Sequence, residues 1–242
     1  MHTEKLQIQV EGASMGAYLA LPDGAGPHPA VIVFQEIFGV NGHIRDVTER
    51  VAKLGYVAIA PDYHHRAAPG QELKYDQEGM QKGMPLIGKL TQPGVLADIE
   101  ATLKTLHARA DVRKDRTGCI GFCIGGHVAY LAATTGHFQA TASFYGGGIA
   151  KMGLGVPEPT VTRTKLIKGK IVCFFGEKDG AIPQDQVQQI RHALDEHHIN
   201  HEVVVYEAAT HGFFCDQRGS YHQPSAADAW QRVQKLFSEE LR

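Results

Sequence analysis

The chain has 242 residues, 43% of them hydrophobic, which is enough to bury one substantial core, and the length suits a single α/β domain over residues 1–242. A formal charge of -2 without any long basic or acidic run removes the electrostatic footprint that nucleic acid or an anionic membrane surface requires. No stretch approaches the ~18 apolar residues of a membrane span, and the four cysteines do not form a disulfide framework, so the expectation is an unexported cytoplasmic protein, monomer or homodimer, that acts on a small molecule.

Residues 5–10 and 16–21 alternate apolar and polar side chains around Glu11-Gly12-Ala13-Ser14, which predicts an antiparallel hairpin with one wet face. From Pro29 onward the pattern changes to short continuous apolar runs at residues 30–34, 56–60, 118–122 and 170–175. Such runs suit strands covered on both faces, as in a parallel sheet. Amphipathic segments at 44–54, 94–109, 124–135, 183–197 and 225–241 read as the helices between them, and 140–145 and 202–206 as further strands. The segments 63–93 and 146–167 fit no element and are expected to be long loops that shape a binding site.

The strongest local signal is Gly121-Phe122-Cys123-Ile124-Gly125-Gly126, between an apolar strand and a helix. It has the form of a nucleophile elbow with Cys in the place of Ser. The turn is so sharp that side chains two positions either side of the nucleophile would strike the strand or helix, hence the glycines. At a helix N-terminus the dipole and free N–H groups favour thiolate over thiol, and the Ile124 amide, with a second from Ile37, can form an oxyanion hole. The competing reading of Cys123 is an inert cysteine at a tight turn.

Asp179, in Gly176-Glu177-Lys178-Asp179-Gly180 after the strand at 170–175, stands where the acid belongs if the partners run nucleophile, acid, histidine. An Asp-Gly pair can equally be a plain turn. His211, in Thr210-His211-Gly212-Phe213, follows the next strand and is the expected base. His197, His198 and His201 lack metal-binding spacing, so neither a metal nor another cofactor is expected. His64-His65, after Ala60-Pro61-Asp62-Tyr63, have either a loop role near the pocket or simple solvent exposure.

With these residues placed, the chain resembles the dienelactone hydrolase (carboxymethylenebutenolidase) family of the α/β-hydrolases. The resemblance rests on Gln35-Glu36-Ile37-Phe38-Gly39-Val40-Asn41, Ala60-Pro61-Asp62, the elbow and His211-Gly212-Phe213. It implies an α/β-hydrolase fold and a Cys123–Asp179–His211 triad, with Glu36 beside the sulfur and hydrogen-bonded to the resting thiol. It also implies an ester or lactone substrate opened through a cysteine acyl-enzyme. Phe38, Tyr145, Phe213 and Arg218 are the candidates for substrate contact. The chain departs from the family at the arginines that hold a substrate carboxylate: Cys215 stands four residues after His211, and the segment 74–82 offers only lysines. Arg-to-Lys exchange loses bidentate geometry, so the substrate is expected to differ from dienelactone. Two other readings are a non-catalytic binding protein on the same fold and a thiol redox protein using Cys119 and Cys123.

Overall fold

The computed structural model describes residues 1–242 and contains one eight-stranded sheet. β1 (His2–Val10) and β2 (Ala13–Leu21) form the antiparallel hairpin. Val10 pairs with Ala13, so the turn is the two residues Glu11 and Gly12, both at positive φ (48° and 82°). Two positive-φ residues match the turn to the strand twist, and Ala13 and Ser14, expected in the turn, therefore belong to β2.

β2 then pairs antiparallel with β4 (Val57–Pro61), and the rest of the sheet is parallel: β3 (His28–Phe34), β5 (Val112–Phe122), β6 (Ala140–Phe144), β7 (Lys170–Gly176) and β8 (His201–Tyr206), in the order β1-β2-β4-β3-β5-β6-β7-β8. The continuous apolar runs have a direct cause in β3. Val31 and Val33 join the core on one face of the sheet, while Ala30, Ile32 and Phe34 join the core on the other, and all five are buried. Alternate side chains of a strand point to opposite faces, so a strand covered on both needs an apolar residue at every position.

The covering helices are α1 (Gly42–Lys53), α2 (Gln77–Ile87), α3 (Gln92–His107), α4 (Ile124–Ala133), α5 (Gln184–Glu196) and α6 (Gln223–Glu240). Five of them lie within a few residues of their sequence-predicted bounds. The segment 63–93 is corrected: it is not one long loop, because α2 occupies its second half, capped by the Asp76 side chain accepting from the Gly79 N–H at 2.8 Å. Pro85 inside that helix and glycines at 79 and 83 weaken the helical signal, and packing against the rest of the molecule overrides it. The segment 146–167 is mostly turns and ends in a 3-10 helix, Thr160–Leu166. β5 begins six residues before the apolar run, at Val112, which pairs with His28 at the beginning of β3, and the charged residues 113–116 fall in the register shift before Thr117 pairs with Ala30.

His64 and His65 occupy neither of the expected settings. Both are buried, and His65 Nε2 lies 3.0 Å from Asp98 Oδ1 on α3, which also takes two bonds from Arg66. His65 and Arg66 anchor the chain after β4 to α3, the ring nitrogens of His64 have no partner, and neither histidine lines the cavity beside Cys123. No helix is long and apolar enough to cross a membrane.

Candidate active site

Four sheet strands deliver their C-terminal ends to one place. Cys123 follows β5 with φ 56° and ψ -124°, a region that non-glycine residues occupy only when their surroundings force it. Its N–H donates to the Phe144 carbonyl at 3.1 Å, and its carbonyl accepts from Gly126 and His127, so the strained turn is held from both sides. The flanking glycines have the predicted cause. A Cβ on Gly121 would overlap the Gly125 carbonyl, and one on Gly125 would overlap the carbonyls of Phe34 and Gln35.

Asp179, in the turn after β7, is buried, and both its oxygens are bonded: Oδ1 accepts the Ala181 N–H at 2.9 Å, and Oδ2 accepts from His211 Nδ1 at 2.8 Å. That bond places the Nδ1 proton toward the carboxylate and leaves Nε2 for other chemistry. Burial pulls the His211 imidazole down, but the charge of the Cys123 sulfur and the Asp179 hydrogen bond outweigh it and push the imidazole up to about 10. The Tyr145 ring packs edge-on against His211, with centroids 5.1 Å apart.

Glu36, in the turn after β3, is fully buried, and its Oε1 accepts from Arg218 Nη1 at 2.9 Å while Oε2 has no partner. The Arg218 guanidinium also lies over the rings of Phe38 and Tyr75, at 5.6 and 5.7 Å. This structure therefore bonds Glu36 to an arginine and to no sulfur. Gly212, with φ 80°, keeps the space for that arginine, since a Cβ there would strike the guanidinium. The requirement explains why glycine follows His211.

A cavity of about 450 Å³ opens over Cys123 and His211. Its lining includes Ile37, Phe38, Ile124 and Arg218 from the predicted set. The turn bonds near the Ile37 amide run from Gly39 N–H to the Glu36 carbonyl, and those near Ile124 run from Gly126 and His127 to the Cys123 carbonyl. Ile37 itself donates in none of the turn and loop bonds, and Ile124 sits at the first turn of α4, where backbone N–H groups have no intrahelical acceptor. Tyr145 and Phe213, predicted to touch substrate, do not line the cavity. Both are fully buried, packed on each other at 5.3 Å behind His211, because apolar rings there complete the core beneath the histidine loop.

Sequence reasoning missed several cavity residues. Met80, Met84 and Ile87 come from α2, and Met152 and Lys151 from the loop after β6. Their only sequence signal was membership of the two segments that fitted no regular element. It also missed Tyr63, whose hydroxyl donates to the Gln35 carbonyl at 2.6 Å and so fixes the turn that carries Glu36 and Ile37.

Comparison with known proteins identifies the family. The model of the dienelactone hydrolase family matches residues 15–241. A protein of Synechocystis sp. that carries the name carboxymethylenebutenolidase is 47% identical over 240 residues, which is 99% of this chain and 98% of that protein. A Bradyrhizobium sp. protein named as a 2-oxo-3-(5-oxofuran-2-ylidene)propanoate lactonase is 33% identical, covering 93% of this chain and 89% of its own. The crystal structure of a Klebsiella pneumoniae protein described as a dienelactone hydrolase superposes with a TM-score of 0.88 at 35% identity, covering 98% of both chains. Elbow, cavity, sheet order and these full-length matches lead to one statement: the chain belongs to the dienelactone hydrolase family and is an α/β-fold hydrolase of carboxylic esters or lactones.

Proposed function

We propose that this protein, acting as a single domain, opens a lactone or an activated ester through an acyl-thioester on Cys123, with Asp179 and His211 completing a triad. The observation that carries the reading is the pairing of His211 with the buried Asp179 at 2.8 Å, on an imidazole raised by the sulfur of Cys123 in the same cavity. A histidine oriented by one carboxylate and charged beside one sulfur is the arrangement a thiolate nucleophile needs.

The Cys123 thiolate attacks the carbonyl carbon, and the carbonyl electron pair moves onto oxygen, where the amides of Ile37 and Ile124 donate to it. Collapse of the adduct breaks the bond between carbon and the leaving oxygen, which takes the proton from His211. Neutral His211 then removes a proton from water, the hydroxide adds to the thioester, and the carboxylic acid leaves as the thiolate re-forms. Asp179 keeps the imidazole in the productive tautomer throughout. Thiolate leaves more readily than amide or alkoxide, so forward collapse favours enol lactones and aryl esters over amides. Arg218, bonded to Glu36 over Phe38, borders the carbonyl site and acts as a positioning group.

The test is hydrolysis of p-nitrophenyl acetate and of a dienelactone by the wild type, Cys123→Ala and Cys123→Ser, with intact-mass detection of an acyl adduct. Turnover by the wild type, loss in Cys123→Ala and an adduct that maps to Cys123 support the proposal. Undiminished activity in Cys123→Ala refutes it, and inactivity of all three proteins favours a binding role on the same fold.

A further inference from the structure

The wall of the cavity differs from what a small anionic lactone would need. Met80, Met84 and Ile87 line it from α2, and their spacing of four and then three residues puts them in one stripe of that helix. Met152 reaches the same space from the loop after β6. Met80 and Met84 are 38% and 50% exposed, two of the few large apolar side chains left in water anywhere on the surface. Exposed apolar side chains clustered beside a reactive group mark a surface that a ligand covers, and methionine adapts its shape to apolar groups of different form.

The cations of the site do not offer a preformed place for a carboxylate. Arg218 is already neutralised by the buried Glu36. Lys151 stands exposed at the rim, where a solvated ammonium attracts a carboxylate only weakly.

We infer that the acyl portion of the preferred substrate is an uncharged apolar chain or ring, which lies along the Met80–Met84–Ile87 stripe and against Met152. This rests on the acyl-thioester reading above and adds the substrate class. The chain remains on Cys123 after the leaving group departs, so one leaving group reports the whole series. Full burial of a methylene corresponds to about fourfold in kcat/KM, and contact with a half-exposed wall to about twofold.

The experiment compares p-nitrophenyl acetate, butyrate and hexanoate with mono-p-nitrophenyl adipate, the carboxylate-tailed ester of the same carbon count as the hexanoate. The inference expects kcat/KM to rise about sixteenfold from acetate to hexanoate, and the adipate monoester to fall at least about tenfold below the hexanoate. Met80→Gln with Met84→Gln changes surface positions to another good helix former and is expected to reduce the hexanoate-to-acetate ratio to about fourfold. A flat or falling series overturns the inference, as does faster turnover of the adipate monoester or an unchanged ratio in the double variant. If the acyl adduct on Cys123 is nevertheless seen, the triad reading survives that failure; absence of any turnover removes both.

Discussion

Arg218→Met tests how the buried Glu36 carboxylate is held. The charges lie 2.9 Å apart, with Glu36 fully buried and the Arg218 side chain only 16% exposed. At an effective dielectric of about 20 their attraction is about 6 kcal/mol, most of which offsets the cost of taking both ions out of water. Methionine keeps the packing of the arginine stem but strands the carboxylate, because Glu36 Oε1 loses its partner and Oε2 never had one. Loss of one member of such a pair is expected to destabilise the protein by about 3–5 kcal/mol, including the lost stacking on Phe38 and Tyr75. Glu36→Gln combined with Arg218→Met removes both charges and should recover all but roughly 1 kcal/mol. Urea unfolding of the wild type, both single variants and the double variant closes the cycle. A loss under about 1 kcal/mol for Arg218→Met, or a double variant no more stable than that single variant, would refute the reasoning.

Asp179→Asn keeps the bond to the Ala181 N–H but presents an amide donor to His211 Nδ1, inverting the tautomer; kcat/KM for p-nitrophenyl acetate is expected to fall at least about 10³-fold, and a fall below tenfold contradicts the triad. Gly125→Ala drives a methyl group into the carbonyls of Phe34 and Gln35, which the sheet cannot move, so a loss of about 3 kcal/mol or more is expected in thermal melts, and a melting temperature equal to the wild type's contradicts the elbow geometry. His64 and His127 are each lowered to about 4 by burial, so they stay neutral in the fold while the unfolded chain binds protons below about 6.5. Stability is therefore full above that value and is lost as pH falls toward about 4, by roughly 3 kcal/mol per histidine; His127→Gln, which keeps bonds to Gly147 and Thr160, should flatten the acid limb of a pH series of urea midpoints. The His211 ring should titrate near 10 by NMR and move down in Cys123→Ala, because the charge that raises it most is gone; an unmoved midpoint would show that the sulfur is not its partner.

Much of the fold could be read from period alone. Apolar runs such as Ala30-Val31-Ile32-Val33-Phe34 suit strands covered on both faces, and the Gly-x-Cys-x-Gly spacing suits a sharp turn from strand into helix. These are local constraints, written in adjacent residues, and Cys123, Asp179 and His211 became candidates through their order along the chain. What the sequence left open depends on residues far apart in the chain. Glu36 and Arg218 are 182 residues apart, and only folding sets the guanidinium, rather than a thiol, against the carboxylate. Tyr145 and Phe213 were candidates for substrate contact, yet their rings pack on each other behind His211 in the core. The α2 stripe was hidden because glycines and Pro85 obscure its helical period, and its methionines acquire a role only where tertiary packing carries them over the nucleophile. Local pattern marks most of the elements, α2 being the exception that packing imposes; the long-range contacts that bury a charge or roof a cavity exist only in three dimensions.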